Sequence, residues 1–375
     1  MKTQQIYLDY NASTPIAPEV AEAIQPFLLQ HFGNPSSLHW AGIPAKEAVE
    51  NARQQVADLL QCSPLEIVFT SGGSESNNHA IKGVFYALKE KGNHMITTQT
   101  EHPAVINPCK FLEKLGAEVT YIGVDRYGRV DPENIEKAVT PKTILITVMH
   151  ANNEVGTIQP IKEISEIAKR HRILFHTDAA QSVGKIDTKV NDLGIDLLSV
   201  AGHKVYAPKG VGALYVREGT SIESLIHGAG HESGRRAGTE NVLLIAGLGK
   251  ACEIAKEYLK DDKIRNLRDC FWEFLEKNFG QGVVLNGDPI HRLPNTLNIS
   301  FVRRVGSEIL NRLNGVAAST GAACHSGSVE LSPVLKAMGI SPEVGMGAIR
   351  FSLGRTTTLQ ELERVVQLLD RKSVV

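Results

Sequence analysis

The sequence has little cysteine, almost no net charge and no long apolar run. Its five cysteines, Cys62, Cys109, Cys252, Cys270 and Cys324, are odd in number and far apart, and no two have the C-x-x-C spacing of a zinc or dithiol site. A disulfide framework is therefore not expected, nor a resident metal site, and a reducing compartment is. The 40 basic and 41 acidic side chains leave a net charge of −1, so no general field draws the chain to nucleic acid or to anionic lipid. The densest basic run, Lys169-Arg170-His171-Arg172, closes a helical pattern, where cations suit the helix dipole. No apolar run reaches membrane-spanning length, and Met1-Lys2-Thr3-Gln4-Gln5 leads into a strand-like segment instead of an apolar signal core. The expectation is a soluble, cytoplasmic protein with no nucleic-acid or membrane partner. Internal repeats and low-complexity tracts are also absent.

What is present is enough apolar residue to build a large core. With 42% apolar residues over 375 positions, the chain exceeds the usual size of a single core and predicts two packed domains. From about residue 66 to 216, short apolar runs alternate with amphipathic stretches, the pattern of a largely parallel sheet wound with helices. The predicted strands are 67–70, 94–98, 119–124, 144–149, 174–177, 197–200 and 213–216. A helix is predicted over 45–61, where Ala48, Val49, Ala52, Val56, Leu59 and Leu60 share a face, and another starts at Asp131-Pro132. After about residue 260 the pattern changes to helical 264–279, extended 297–302, glycine-rich 319–327, strand-like 349–353 and helical 359–369. Open parallel sheets place ligands beyond the carboxyl ends of their strands, so the segments that follow the strands carry the function.

Three of those segments bear chemistry. Thr70-Ser71-Gly72-Gly73-Ser74-Glu75-Ser76-Asn77-Asn78 follows the first strand and opens a helix, where free backbone amides and a hydroxyl can cradle a phosphate, although a plain tight turn uses the same residues. His176-Thr177-Asp178-Ala179-Ala180-Gln181 ends a later strand, and Gly202-His203-Lys204 ends the next. Pyridoxal phosphate (PLP) needs a lysine amine to hold its aldehyde and a carboxylate to keep its pyridine nitrogen protonated. A capping aspartate and a surface lysine are the ordinary alternatives for either residue alone. Their joint placement beside a phosphate-like turn favours the cofactor.

The sequence resembles the cysteine desulfurases, a branch of the fold-type I PLP enzymes. The resemblance runs from Tyr7-Leu8-Asp9-Tyr10-Asn11-Ala12-Ser13-Thr14-Pro15 through Ile349-Arg350-Phe351-Ser352-Leu353-Gly354-Arg355. Between them lie Phe32-Gly33-Asn34-Pro35-Ser36-Ser37, Ala151-Asn152-Asn153-Glu154-Val155-Gly156, Arg236-Ala237-Gly238-Thr239-Glu240-Asn241 and Leu293-Pro294-Asn295-Thr296. It implies an α/β fold with a mainly parallel seven-stranded sheet in a large PLP-binding domain, 15–260. A smaller α+β domain, 1–14 with 261–375, would carry the loop of the catalytic cysteine.

Residue by residue, the resemblance implies that Lys204 holds the cofactor and acts as the proton-transfer base, that Asp178 partners the pyridine nitrogen, and that Gln181 faces the ring hydroxyl. His102 would stack on the ring, where a lone histidine would otherwise be read as a cap or a core residue. Gly73, Ser74 and His203 would hold the phosphate alongside Ala201 and Gly202, and Thr239 would reach the site of the second subunit of a homodimer. Asn11, Asn153 and Arg350 would bind substrate, with Asn153 also touching cofactor; the Arg350 guanidinium fork suits a carboxylate. Cys324, set among small residues in Ser319-Thr320-Gly321-Ala322-Ala323-Cys324-His325-Ser326-Gly327-Ser328, would take the sulfur as a persulfide and is left open as a transient iron–sulfur ligand. That run is expected to be mobile. The implied reaction converts L-cysteine to L-alanine, with a sulfur-acceptor protein as the next partner, in iron–sulfur cluster or thio-cofactor assembly.

One position departs from the pattern. Many desulfurases have serine two residues before the histidine of the lysine segment, and here Ala201 stands there. Together, Val200-Ala201-Gly202-His203-Lys204 and Gly321-Ala322-Ala323-Cys324-His325-Ser326 also resemble selenocysteine lyase, which makes selenocysteine the alternative substrate. A cofactor-binding scaffold would not need the full set of reactive residues, and an aminotransferase would not need Cys324.

Overall fold

The computed structural model describes residues 5–320, 322–325 and 328–370, the side chains of 322–325, 328 and 329 excepted. Seven strands form the larger sheet, in the order Ile67–Thr70, Gly212–Val216, Leu197–Ala201, Leu174–Asp178, Thr143–Thr147, His94–Thr98 and Glu118–Ile122. All neighbours are parallel except those of Gly212–Val216, which runs against both of its partners. The inner strands are buried at every residue except Leu174, as befits a sheet covered by helices on both faces. One face packs Phe69, Ile96, Ile146, Phe175, Leu198 and Tyr215 into a core, and the other packs Val68, Met95, Leu145, Leu197 and Leu214.

A separate core joins Ile6 and Leu8 to Phe271, Leu297, Ile299, Phe301, Ile349, Phe351, Leu362 and Leu369. It lies against a four-stranded antiparallel sheet ordered Ser319–Thr320, Ala348–Ser352, Thr296–Phe301, Val283–Asn286. The helices Lys263–Phe279 and Leu359–Leu369 pack together there. Next to it, Ala322–His325 and Ser328–Leu331 pair as an antiparallel hairpin with Cys324 opposite Val329. Among the described residues no helix is long and apolar enough to cross a membrane.

The predicted elements are present with small shifts at their ends. The helix predicted from residue 45 begins at Ile43, because Pro44 in its first turn is pre-set for helical φ and has no amide to leave unsatisfied. The strand predicted over 144–149 spans Thr143–Thr147, since the Met149 amide leaves the ladder and donates to both oxygens of Glu101, at 2.9 and 3.1 Å. The strand predicted over 119–124 is Glu118–Ile122, and that predicted over 174–177 extends to Asp178. Asp131 caps its helix as expected, accepting from the Glu133 amide at 2.9 Å.

Candidate active site

A cavity of about 650 Å³ opens at the carboxyl ends of the strands, lined among others by Asn11, Gly73, Ser74, His102, Asn153, Asp178, Gln181, Ala201, His203, Lys204 and Arg350. Adjacent parallel strands supply its two central groups. Leu174–Asp178 ends on Asp178, and Leu197–Ala201 runs into the short turn Gly202–Lys204. Lys204 Nζ donates to the carbonyls of Asn11, at 2.5 Å, and Ala12, at 2.8 Å. Burial pushes its amine down to about 8, and the nearby Arg350 cation adds to the shift. An amine so depressed is far more often neutral near pH 8 than an ordinary lysine, as a nucleophile or base requires.

Asp178 is 6% exposed and accepts from the Ala180 amide at 2.9 Å and from Asn77 Nδ2 at 2.7 Å. Asn77 Oδ1 is left buried without a partner among the described residues. The helix Gly73–Leu88 points its amino end into the cavity, entered through Gly72 at φ 145°, a conformation that favours glycine. A Cβ added at Gly73 would lie 3.2 Å from Ala201 Cβ, so the glycine keeps open a cradle beside free helix-start amides. His102 serves two ends: its Nδ1 caps the helix Pro103–Glu113 by accepting from Ala104 N at 3.1 Å, and its ring faces the cavity. Partial burial and the Lys204 charge lower its pKa, against the pull of Asp178. His203 is pushed down to about 4 by burial and by the neighbouring lysines, and is thus uncharged at neutral pH.

These features fit PLP: an anion cradle, a depressed lysine amine, and a hydrogen-bonded carboxylate beside an orphaned amide oxygen.

Arg350 sits at the other wall. Its guanidinium donates to Asp9 Oδ1 at 2.7 Å, Ser319 Oγ at 2.9 Å and the Asn153 carbonyl at 3.0 Å, and its Nε has no partner among the described residues. Asn11 ties the walls together, giving Nδ2 to Thr296 Oγ1 and the Asn153 carbonyl and taking Asn295 Nδ2 on its own Oδ1 at 2.9 Å. Gln181 Nε2 donates to the Asn11 carbonyl at 2.9 Å.

Thr239 does not line this cavity. It lines a smaller one with Ser71, Gly210 and Arg236, behind the helix start. The Cys324 side chain, and the mobility expected of its run, lie outside the described residues. Three of the other cysteines are poor nucleophiles, since burial pushes Cys62, Cys109 and Cys252 up to about 12.

Sequence reasoning missed Asn77, Asp9 and Glu75. Asn77 falls one turn after Gly73, on the same helix face, and that spacing was the available signal. Glu75 lines the cavity beside the cradle. Burial raises its carboxyl, but Arg236 at 2.9 Å and the Ser71 amide at 2.8 Å outweigh that and hold it below its usual range.

Residues 6–365 match the family described as aminotransferase class-V. A cysteine desulfurase IscS of Dictyoglomus turgidum is 52% identical over 372 residues, covering 98% of this chain and 94% of the relative. One from Escherichia coli O139:H28 is 46% identical over 376 residues, covering 98% and 92%. Among solved structures, a NifS-like protein gives a TM-score of 0.92 at 38% identity, covering 98% of both chains. A structure described as SspA in complex with cysteine gives 0.83 at 42% identity, covering 93% of this chain and 98% of that one. A lysine and an aspartate that face one cavity from adjacent strand ends are what a PLP enzyme requires, and with likeness of this degree over nearly its whole length the chain belongs to the class-V aminotransferase family, in its PLP-dependent cysteine desulfurase branch.

Proposed function

We propose that this protein takes sulfur from L-cysteine, releases L-alanine and passes the sulfur from a Cys324 persulfide to an acceptor protein. The observation that carries the reading is the depressed Lys204 amine in the same cavity as Asp178 and the Gly73 cradle. PLP, when bound, supplies the electron sink that makes the substrate α-proton removable. Asp178 would hold the pyridine nitrogen, Gly73, Ser74, Gly202 and His203 the phosphate, and His102 one face of the ring. Gln181 would meet the ring hydroxyl, and Asn11, Asn153 and Arg350 the substrate carboxylate. Lys204 Nζ would take the α-proton and later return a proton to carbon. The Cys324 thiolate would form the new S–S bond as the C–S bond breaks, with the C–S electron pair leaving on carbon. Incubation with L-cysteine should then give alanine, with at most one persulfide per chain, on Cys324, when no acceptor is present. Alanine without that persulfide would overturn the sulfur-transfer step.

The division into 15–260 and 1–14 with 261–375 belongs to the same proposal, supported by a core that unites Ile6 and Leu8 with residues after 270. So does the cytoplasmic homodimer. Its support is the apolar surface of Leu28, Leu29, Phe32, Leu38 and Trp40, which are 60–86% exposed in the single chain. Thr239, away from its own chain's cavity, is free to serve the neighbour's. Light scattering should give a dimer that loses PLP affinity on dissociation, and a monomer that holds PLP tightly would refute the shared site.

Ala201 offers a gain-of-function test. Its methyl faces the Gly73 cradle, and Ala201→Ser would place a hydroxyl there. One charge-assisted hydrogen bond is worth about 1.5–3 kcal/mol, so PLP should bind at least about tenfold more tightly in an absorbance titration. An unchanged dissociation constant would mean that another group or a water already fills the position.

A further inference from the structure

Lys185 lies behind the cavity and has no role in the reading above. It lines a narrow cleft between the two cores with Tyr10, Tyr206, Tyr258 and Arg355, and its Nζ donates to Gln181 Oε1 at 2.9 Å. Among the described residues its amine pairs with no carboxylate. Protein packed around the amine pushes it down to about 7, with Lys204 and Arg350 adding to the shift. Half-buried near two other cations and with no carboxylate partner, the amine is poorly explained as a space filler.

We infer that Lys185 is a positioning residue: by donating to Gln181 Oε1 it fixes the carboxamide so that the NH₂ end, not the oxygen, faces the Asn11 carbonyl and the cavity. The two ends of a carboxamide are nearly equal in size, and only hydrogen bonding tells them apart. Gln181 Nε2 already donates to the Asn11 carbonyl, which also accepts from Lys204. That leaves the second N–H of Gln181 for an acceptor in the cavity. Without the Lys185 donor, Gln181 Oε1 loses its partner in the interior, and the amide can turn its oxygen inward.

The inference rests on the cavity being the PLP site, and it is tested by titrating PLP into apoprotein. Lys185→Met should weaken PLP binding by about tenfold while the apoprotein keeps a cooperative melting transition. Gln181→Ala should weaken it as much, and the double variant no more than Gln181→Ala alone, because the lysine acts only through the amide. Gln181→Glu keeps an oxygen for Lys185 but has no NH₂, so it too should bind about tenfold more weakly. Wild-type affinity in Lys185→Met or in Gln181→Glu, or additive losses in the double variant, would overturn the inference. A wild-type chain that took up no PLP would instead refute the cofactor assignment on which it rests.

Discussion

Lys204→Ala is expected to leave the purified protein without the visible absorbance of covalently held PLP, and to cut alanine formation from cysteine by roughly 10²–10⁴-fold through loss of the base alone. Two properties of the site concentrate the effect on one residue. The amine is pushed down to about 8, so it is reactive under mild conditions. It is also held between the Asn11 and Ala12 carbonyls, which aim it into the cavity. Lys209 also lines the cavity but lacks the carbonyl pair that aims Lys204, and Lys185 donates to Gln181. Neither is placed to substitute. Normal absorbance and turnover in Lys204→Ala would refute the assignment. Loss of turnover with normal absorbance would place the covalent link elsewhere.

Cys324→Ser should reduce alanine formation from cysteine to background and leave measurable formation from selenocysteine. A selenol is more acidic than a thiol and the carbon–selenium bond is weaker, so selenium leaves with less help from a protein nucleophile. Serine keeps the size of the side chain but cannot form a persulfide. None of the remaining thiols lines the cavity, and burial pushes Cys62, Cys109 and Cys252 far above the neutral range, so rescue is not expected. Undiminished cysteine turnover in Cys324→Ser would refute the persulfide step. A wild-type protein efficient only on selenocysteine would make it a selenocysteine lyase in practice, the substrate its Ala201 segment also suggests.

The sheet was legible in the sequence because strands buried on both faces must be apolar throughout, and polar turns bound them sharply. The same logic exposed Asp178 and Lys204, which interrupt apolar runs at the ends where an open sheet binds ligands. Strand ends were less legible. Nothing local at Met149 announces that its amide will go to Glu101, nearly fifty residues earlier in the chain. Partners that depend on tertiary approach were hidden for the same reason: Asp9 meets Arg350, 341 residues later in the chain, only once the smaller core has formed. His102 shows that two readings of one residue need not compete, since it is both a helix cap and a wall of the site.

Asn11 has a consequence for the order in which the protein is made. Its carbonyl receives Lys204 and Gln181, while its side chain and amide bond Asn295, Thr296 and Ser352, the last of them 341 residues away. A ribosome releases Asn11 early and Ser352 near the end, and domains tend to form as they emerge. The seven-stranded sheet can assemble while these late partners are still unmade. During that interval the Lys204 amine lacks the fixed carbonyl that aims it, so a nascent chain would have its fold well before it has a competent site. Closing so long a loop is slow relative to local contacts, which makes the locking of Asn11 a natural final step of maturation.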